Sequence, residues 1–355
     1  MNTLRKICIP ILLLIFLLPA MNRADLFAQA QDTLTCAVKL KMAEDAFSKG
    51  QVDQIPGLLN ECIKSGFTKE EALSAYKLLI QTLLLNDKLR EADSSMLSFL
   101  RSNPEYKLSP TDHSSFVYLY NSFVVKPRFQ LSVRTGVNIP FLTFVQEHLT
   151  SGYTGNSSYI TNASNLFLSA EGKIRISPKL EFGTGVGFSQ VTFTNSVRYY
   201  DFATVQYKES QTRLEFPVGV TFDALSFGSF TTYVRGGLGA ALNVSTSADV
   251  SLPMLDKNNP YDRTEGTLKV KDSRIPIDIF AFVGTGFKFK IPKGYLFLEA
   301  RGMFGMLNQN KSGGKNTELL QDKYYWSSPD FRLNTLNVNL GYTYIFYKPT
   351  KKQAQ

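Results

Sequence analysis

Residues 168–175 read Leu168-Ser169-Ala170-Glu171-Gly172-Lys173-Ile174-Arg175. Apolar or small side chains at the even positions alternate with polar and charged ones at the odd positions. That is the period of a β-strand whose two faces meet different surroundings. Ser177-Pro178 stops the run, and a second alternating run begins at once. Upstream, Phe129, Leu131, Val133, Thr135 and Val137 alternate with Arg128, Gln130, Ser132, Arg134 and Gly136. The same period continues to Lys348. It predicts eight strands, near 128–139, 165–176, 179–193, 211–222, 229–243, 275–290, 294–306 and 334–348. Each exceeds the roughly 9–11 residues that a tilted transmembrane strand needs.

The connections separate a barrel from a soluble sandwich. Ser177-Pro178, the stretch from Asp223 to Gly228 and Ile291-Pro292-Lys293 are short, whereas 140–164, 194–210, 244–274 and 307–333 are long. Short and long links alternate strictly, as in an up-and-down transmembrane barrel with short periplasmic turns and long external loops. An even strand count returns both ends of the barrel to the periplasmic side. The expected fold class is therefore membrane all-β: an eight-stranded antiparallel barrel preceded by a small α-helical hairpin domain.

With the apolar members of each alternation facing lipid, the inward set is Arg134, Glu171, Lys173, Arg175, Glu181, Arg213, Glu215, Arg235, Asp278, Glu299 and Arg301. Six are basic and five acidic. Eight strands enclose a space that side chains can fill, and unpaired charges there are costly to bury. The set reads as a salt-bridged plug, with Glu215 expected beside Arg235, rather than as a selective channel. Gly183-x-Gly-x-Gly and Gly236-Gly-x-Gly lack the following helix of a phosphate-binding loop. They read as small residues for strand curvature and close packing. Tyr199, Tyr200, Tyr207, Tyr295, Phe297, Tyr324, Tyr325 and Trp326 are expected at the membrane interfaces.

The chain opens as an address. Arg5 and Lys6 precede an apolar run from Ile7 to Ala20, too short to span a bilayer as a helix. Ala28-Gln29-Ala30 fits a small-x-small cleavage site. The expected division is a signal peptide at 1–30, a periplasmic helical domain at 31–126, the barrel at 127–348 and a periplasmic tail at 349–355. In the second of these, Cys36, Leu40, Ala43 and Phe47 mark one helical stripe from Asp32, ended by Gly50. Further helices are expected over 54–64, from Thr68 through Leu83, over 87–100 and from Asp112. Cys36 and Cys62 are the two cysteines left after cleavage. They lie on neighbouring antiparallel helices, and an oxidising compartment favours a disulfide over two buried free thiols.

The passage Arg213-Leu214-Glu215-Phe216-Pro217-Val218-Gly219-Val220 resembles the "YLEIPL" strand of PorT-like outer-membrane β-barrels common in Bacteroidota. Arg274-Ile275-Pro276-Ile277 echoes it two strands later. The helical segment, with its cysteine pair and Asn103-Pro104-Glu105-Tyr106, resembles tetratricopeptide-like extensions on barrels from that phylum. These motifs imply a fold family and no activity.

Two histidines and three cysteines leave little room for a zinc or haem site, and no cofactor is expected. His148 lies beside Glu147 in the first external loop, followed by Ser151, Ser157 and Ser158, and reads as a solvated loop residue rather than part of a hydrolase. His113 lies at the start of a periplasmic helix. The net charge of +9 is spread along the chain. Outer loops carry Lys257, Arg263, Lys269, Lys271, Arg274, Lys311, Lys315 and Lys323, rim cations suited to lipopolysaccharide phosphates. Nucleic acid is not a partner outside the cytoplasm. The expectation is a non-enzymatic outer-membrane barrel, in contact with lipid and lipopolysaccharide, whose helical domain docks a periplasmic or outer-membrane protein. The alternatives are small-solute or hydrophobic-compound transport, and an outer-membrane lipid-modifying enzyme.

Overall fold

The computed structural model describes the backbone of residues 23–146, 153–161, 165–199, 203–252, 264–311 and 326–352, and most side chains within those ranges from 36 onward. Residues 1–22 of the expected leader, Glu147, His148, Ser151, Tyr200, Tyr324 and Tyr325 lie outside the described residues, as do the side chains of Ser157, Ser158 and Tyr199. The chain forms two compact units. One is residues 1–126 with 347–355, and the other is residues 127–346.

The first unit contains α1 (Arg23–Ser48), α2 (Ile55–Lys64), α3 (Lys69–Leu85), α4 (Leu89–Ser102) and α5 (Ser114–Asn121). The expected helices are all present, although α1 starts at Arg23, ahead of Asp32. Gly50, with φ +74°, follows the first of them, a conformation glycine adopts without strain. Thr68 and Glu71 form a reciprocal capping box at the start of α3. A shared core of Leu40, Ile55, Leu59, Leu79, Ile80, Met96, Phe99 and Phe116 joins the helices. Cys36 and Cys62 form a disulfide with Cα atoms 5.6 Å apart.

The strands are β1 (Phe123–Gln146), β2 (Tyr153–Thr161), β3 (Asn165–Ser177), β4 (Leu180–Tyr199), β5 (Ala203–Phe227), β6 (Phe230–Leu252), β7 (Thr264–Lys269), β8 (Ile277–Ile291), β9 (Gly294–Gly305) and β10 (Asp330–Lys351). Eight of them close a ring in the order β4-β3-β1-β10-β9-β8-β6-β5 and back to β4. The paired strands with defined register are antiparallel. β2 and β7 extend the ring at one end, pairing with the far parts of β4 and β6. These two strands occupy stretches expected to be loop, 140–164 and 244–274. β10 also runs to Lys351, through the start of the expected tail.

Two-residue turns join β3 to β4, β5 to β6 and β8 to β9 at the opposite end. Two of these turns need a left-handed residue, supplied by Gly228 (φ +59°) and Lys293 (φ +60°). Outward along the ring stand exposed Leu131, Val133, Leu168, Val186, Val218, Val234, Val283, Leu298 and Val338. A closed sheet with an apolar exterior and charged interior is the architecture of a membrane-spanning β-barrel. Among the described residues no helix is long and apolar enough to cross a membrane.

Candidate functional site: a charged barrel interior

Three layers of charge fill the barrel. The layer nearest the two-residue turns centres on Glu181. Its carboxylate accepts from Arg175 at 2.6 Å, Lys288 at 3.0 Å and Gln130 at 3.0 Å. Lys288 also reaches Asp223 at 2.6 Å. Lys173, buried, sits over the rings of Tyr295 and Phe297, 5.9 and 5.4 Å from their centroids.

The middle layer alternates signs. Arg134 donates to Glu171 at 2.5 Å and to Glu299 at 2.7 Å. Arg235 donates to both oxygens of Glu171, at 3.1 and 3.2 Å, and lies 3.7 Å from Glu299. Tyr233 donates to Glu299 at 2.9 Å. The two acids thus lie between two guanidinium groups. Local sequence makes the space: Gly185 stands across from Glu171 in the β3–β4 register, where a Cβ would strike the Ala170 carbonyl.

Above this layer Arg213 donates to Asp278 at 3.0 Å. Arg301, 1% exposed, lies between the rings of Phe167 and Phe282 and makes no hydrogen bond among the described residues. At the end with the long strand extensions, Arg274 donates to Glu209 at 2.5 and 2.9 Å, to Ser328 at 3.0 Å, and to Asn310. Tyr207 donates to Glu209 and stacks on Trp326 with centroids 4.5 Å apart.

All eleven residues expected inside face the interior. Arg175 keeps 28% side-chain exposure, and the other ten are buried. The expected pairing differs: Glu215 stands opposite Ala241 in the register, whereas Arg235 stands opposite Thr221, so the two are not partners. Glu171 takes that role.

Four aromatic residues expected at the interfaces are buried inside instead. Tyr295 and Phe297 share the odd positions of β9 with Glu299 and Arg301, so period two turns all four the same way. Tyr207 shares the face of Glu209, and Trp326 packs on it. Outward aromatics near the turn end are Phe129, Phe222, Phe227, Phe289 and Phe346. Arg274, expected as a rim cation, is buried in the cap. Lys288 and Glu209 were missed, yet parity identifies both: Lys288 shares the face of Asp278, and Glu209 that of Arg213.

Hydrogen-bonded, buried charges of this kind hold one another in place across the described interior. His113 caps α5, its Nδ1 accepting from the Ser115 N–H. Among the described residues no group of three or more His, Cys, Asp or Glu is placed to hold a metal.

No model of a known family matches the chain, and neither does any curated protein. Several solved structures are similar. Ail, the attachment invasion locus protein of Yersinia pestis, is 10% identical over 61% of this chain and 99% of its own, with a TM-score of 0.27. Neisserial surface protein A is 12% identical over 61% and 97%, with a TM-score of 0.27. The outer membrane protein AlkL, solved in lipid bilayers, is 10% identical over 70% and 99%, with a TM-score of 0.30. The barrel itself is established by the closed strand ring of this chain.

Proposed function

We propose that the protein is a non-enzymatic outer-membrane barrel that serves as an anchor rather than a pore. In this reading its helical unit lies in the periplasm and docks a protein partner, as part of an envelope or secretion assembly. The observation that carries the anchor reading is the filled interior. Glu171 and Glu299 bridge Arg134 and Arg235 in the middle of the barrel, where a conducting pore would need water. A filled eight-stranded barrel contributes a membrane address and a rigid mount. Helical hairpins of the first unit supply the kind of surface that binds peptides and proteins.

The test has two arms. In planar bilayers the full chain should give no stepwise conductance; regular steps would favour solute transport and sink the anchor reading. In detergent-solubilised membranes, cross-linking through cysteines placed on exposed α1 positions should join the helical unit to one defined protein. Absence of any adduct under conditions where a barrel-loop control reacts would remove the docking role.

A further inference from the structure

Beyond the apolar belt β4, β5 and β6 continue as a flap, flanked by β2 on one side and β7 on the other. The β5–β6 register shifts between Thr212 and Arg213, where the flap begins. Such a bulge bends the strand it interrupts. One rung of the flap runs Thr194, Lys208, Asp249, Thr267, each paired with the next across the sheet. Gln206 and Ser251 pair on a neighbouring rung. These side chains point away from the interior, because Tyr207, Glu209, Ala248 and Val250 between them are buried. With Gly266 and Val250 they line an open hollow of about 610 Å³ on the outer face.

The lining has a particular chemistry. Thr267 donates to one oxygen of Asp249 at 2.7 Å, which fixes the carboxylate and leaves its other oxygen to accept. Lys208, Gln206, Thr194 and Ser251 line the same hollow. About half of the lining is apolar, surface that the C–H faces of a sugar ring can cover. A simple anion meets Asp249, and a simple cation meets Lys208. Sugar hydroxyls, each both donor and acceptor, satisfy such a mixed array.

We propose that this outer face of the flap is a saccharide-binding ledge, with Asp249, Lys208 and Gln206 as its principal contacts. The sugar comes either from the lipopolysaccharide core of the surrounding leaflet or from a soluble glycan. The proposal rests on the membrane reading above only for which side of the membrane the ledge faces.

Full-length protein in detergent micelles, titrated by calorimetry, tests it. Delipidated lipopolysaccharide core oligosaccharide and maltoheptaose are the two probes. We expect saturable binding of one, weakened at least ten-fold by Lys208→Gln with Asp249→Asn. The Gln206→Ala variant provides a second, milder loss that does not touch the charged pair. Binding of the core oligosaccharide assigns the leaflet source, and binding of maltoheptaose the soluble one. No saturable binding of either, or equal binding by the variants, overturns the ledge. Micelles have no sides, so this result is independent of whether the barrel orientation is right.

Discussion

Glu171 receives hydrogen bonds from two arginines, and its removal leaves both partly uncompensated. Stranding a buried charge costs about 3–5 kcal/mol. Glu171→Ala should therefore lower the temperature at which the barrel unfolds on a heat-modifiability gel. Adding Arg235→Ala in that background should cost less than Arg235→Ala alone, since contacting charges are coupled; additive costs would dissolve the pair. Arg301→Met makes the contrast. Its guanidinium has no hydrogen bond to lose among the described residues, so its shift on the same gel should be smaller than that of Glu171→Ala. At this scale the sequence shows which residues face inward, because parity along a strand settles it. It does not show that Glu171 rather than Glu215 meets Arg235, because β3 and β6 are not neighbours in the ring. Their ends meet across the lumen, a distance set by barrel closure.

The eight ring strands are legible because an apolar belt writes its period into them. β2 and β7 are not, since Tyr153–Thr161 and Thr264–Lys269 lie in polar stretches where both faces read alike. The helices show themselves by spacing and by turn residues such as Gly50 and Thr68. Two expectations belong to these helices. The Cys36–Cys62 bridge closes a span of 26 residues, and bridges of that kind contribute about 2–4 kcal/mol. Cys62→Ser should lower the melting of the helical unit by circular dichroism while the barrel's gel shift stays in place. Asp112 supplies the pH dependence. Burial alone would raise its carboxyl, but hydrogen bonds from Lys77, Tyr106 and the Ser109 N–H together hold it below the usual range. A depressed folded pKa stabilises above the unfolded value and is lost as pH falls through the folded one. The helical unit should thus lose stability below about pH 4, and Asp112→Asn should flatten that decline. An unchanged acid limb in the variant would assign the decline to other groups.

Orientation is the property of the whole molecule that link lengths imply. A cysteine in place of Thr267 should react with an impermeant maleimide on intact cells, and one in place of Lys293 should react only after the outer membrane is opened. The reverse pattern would turn the barrel over. The division of the chain into units has its own consequence for biogenesis. The first unit includes residues 347–355, where Tyr347 donates to Glu105 at 2.9 Å and the Lys352 N–H to the Ser122 carbonyl. Lys351 meets Asp93 from 258 residues away in sequence. Residues translated before the barrel strands are thus completed by residues translated after them. The unit's helical core can assemble early, but its closing ribbon waits for residues 347–352 to arrive. A chain that stops before Tyr347 keeps the five helices but lacks the ribbon that completes their unit.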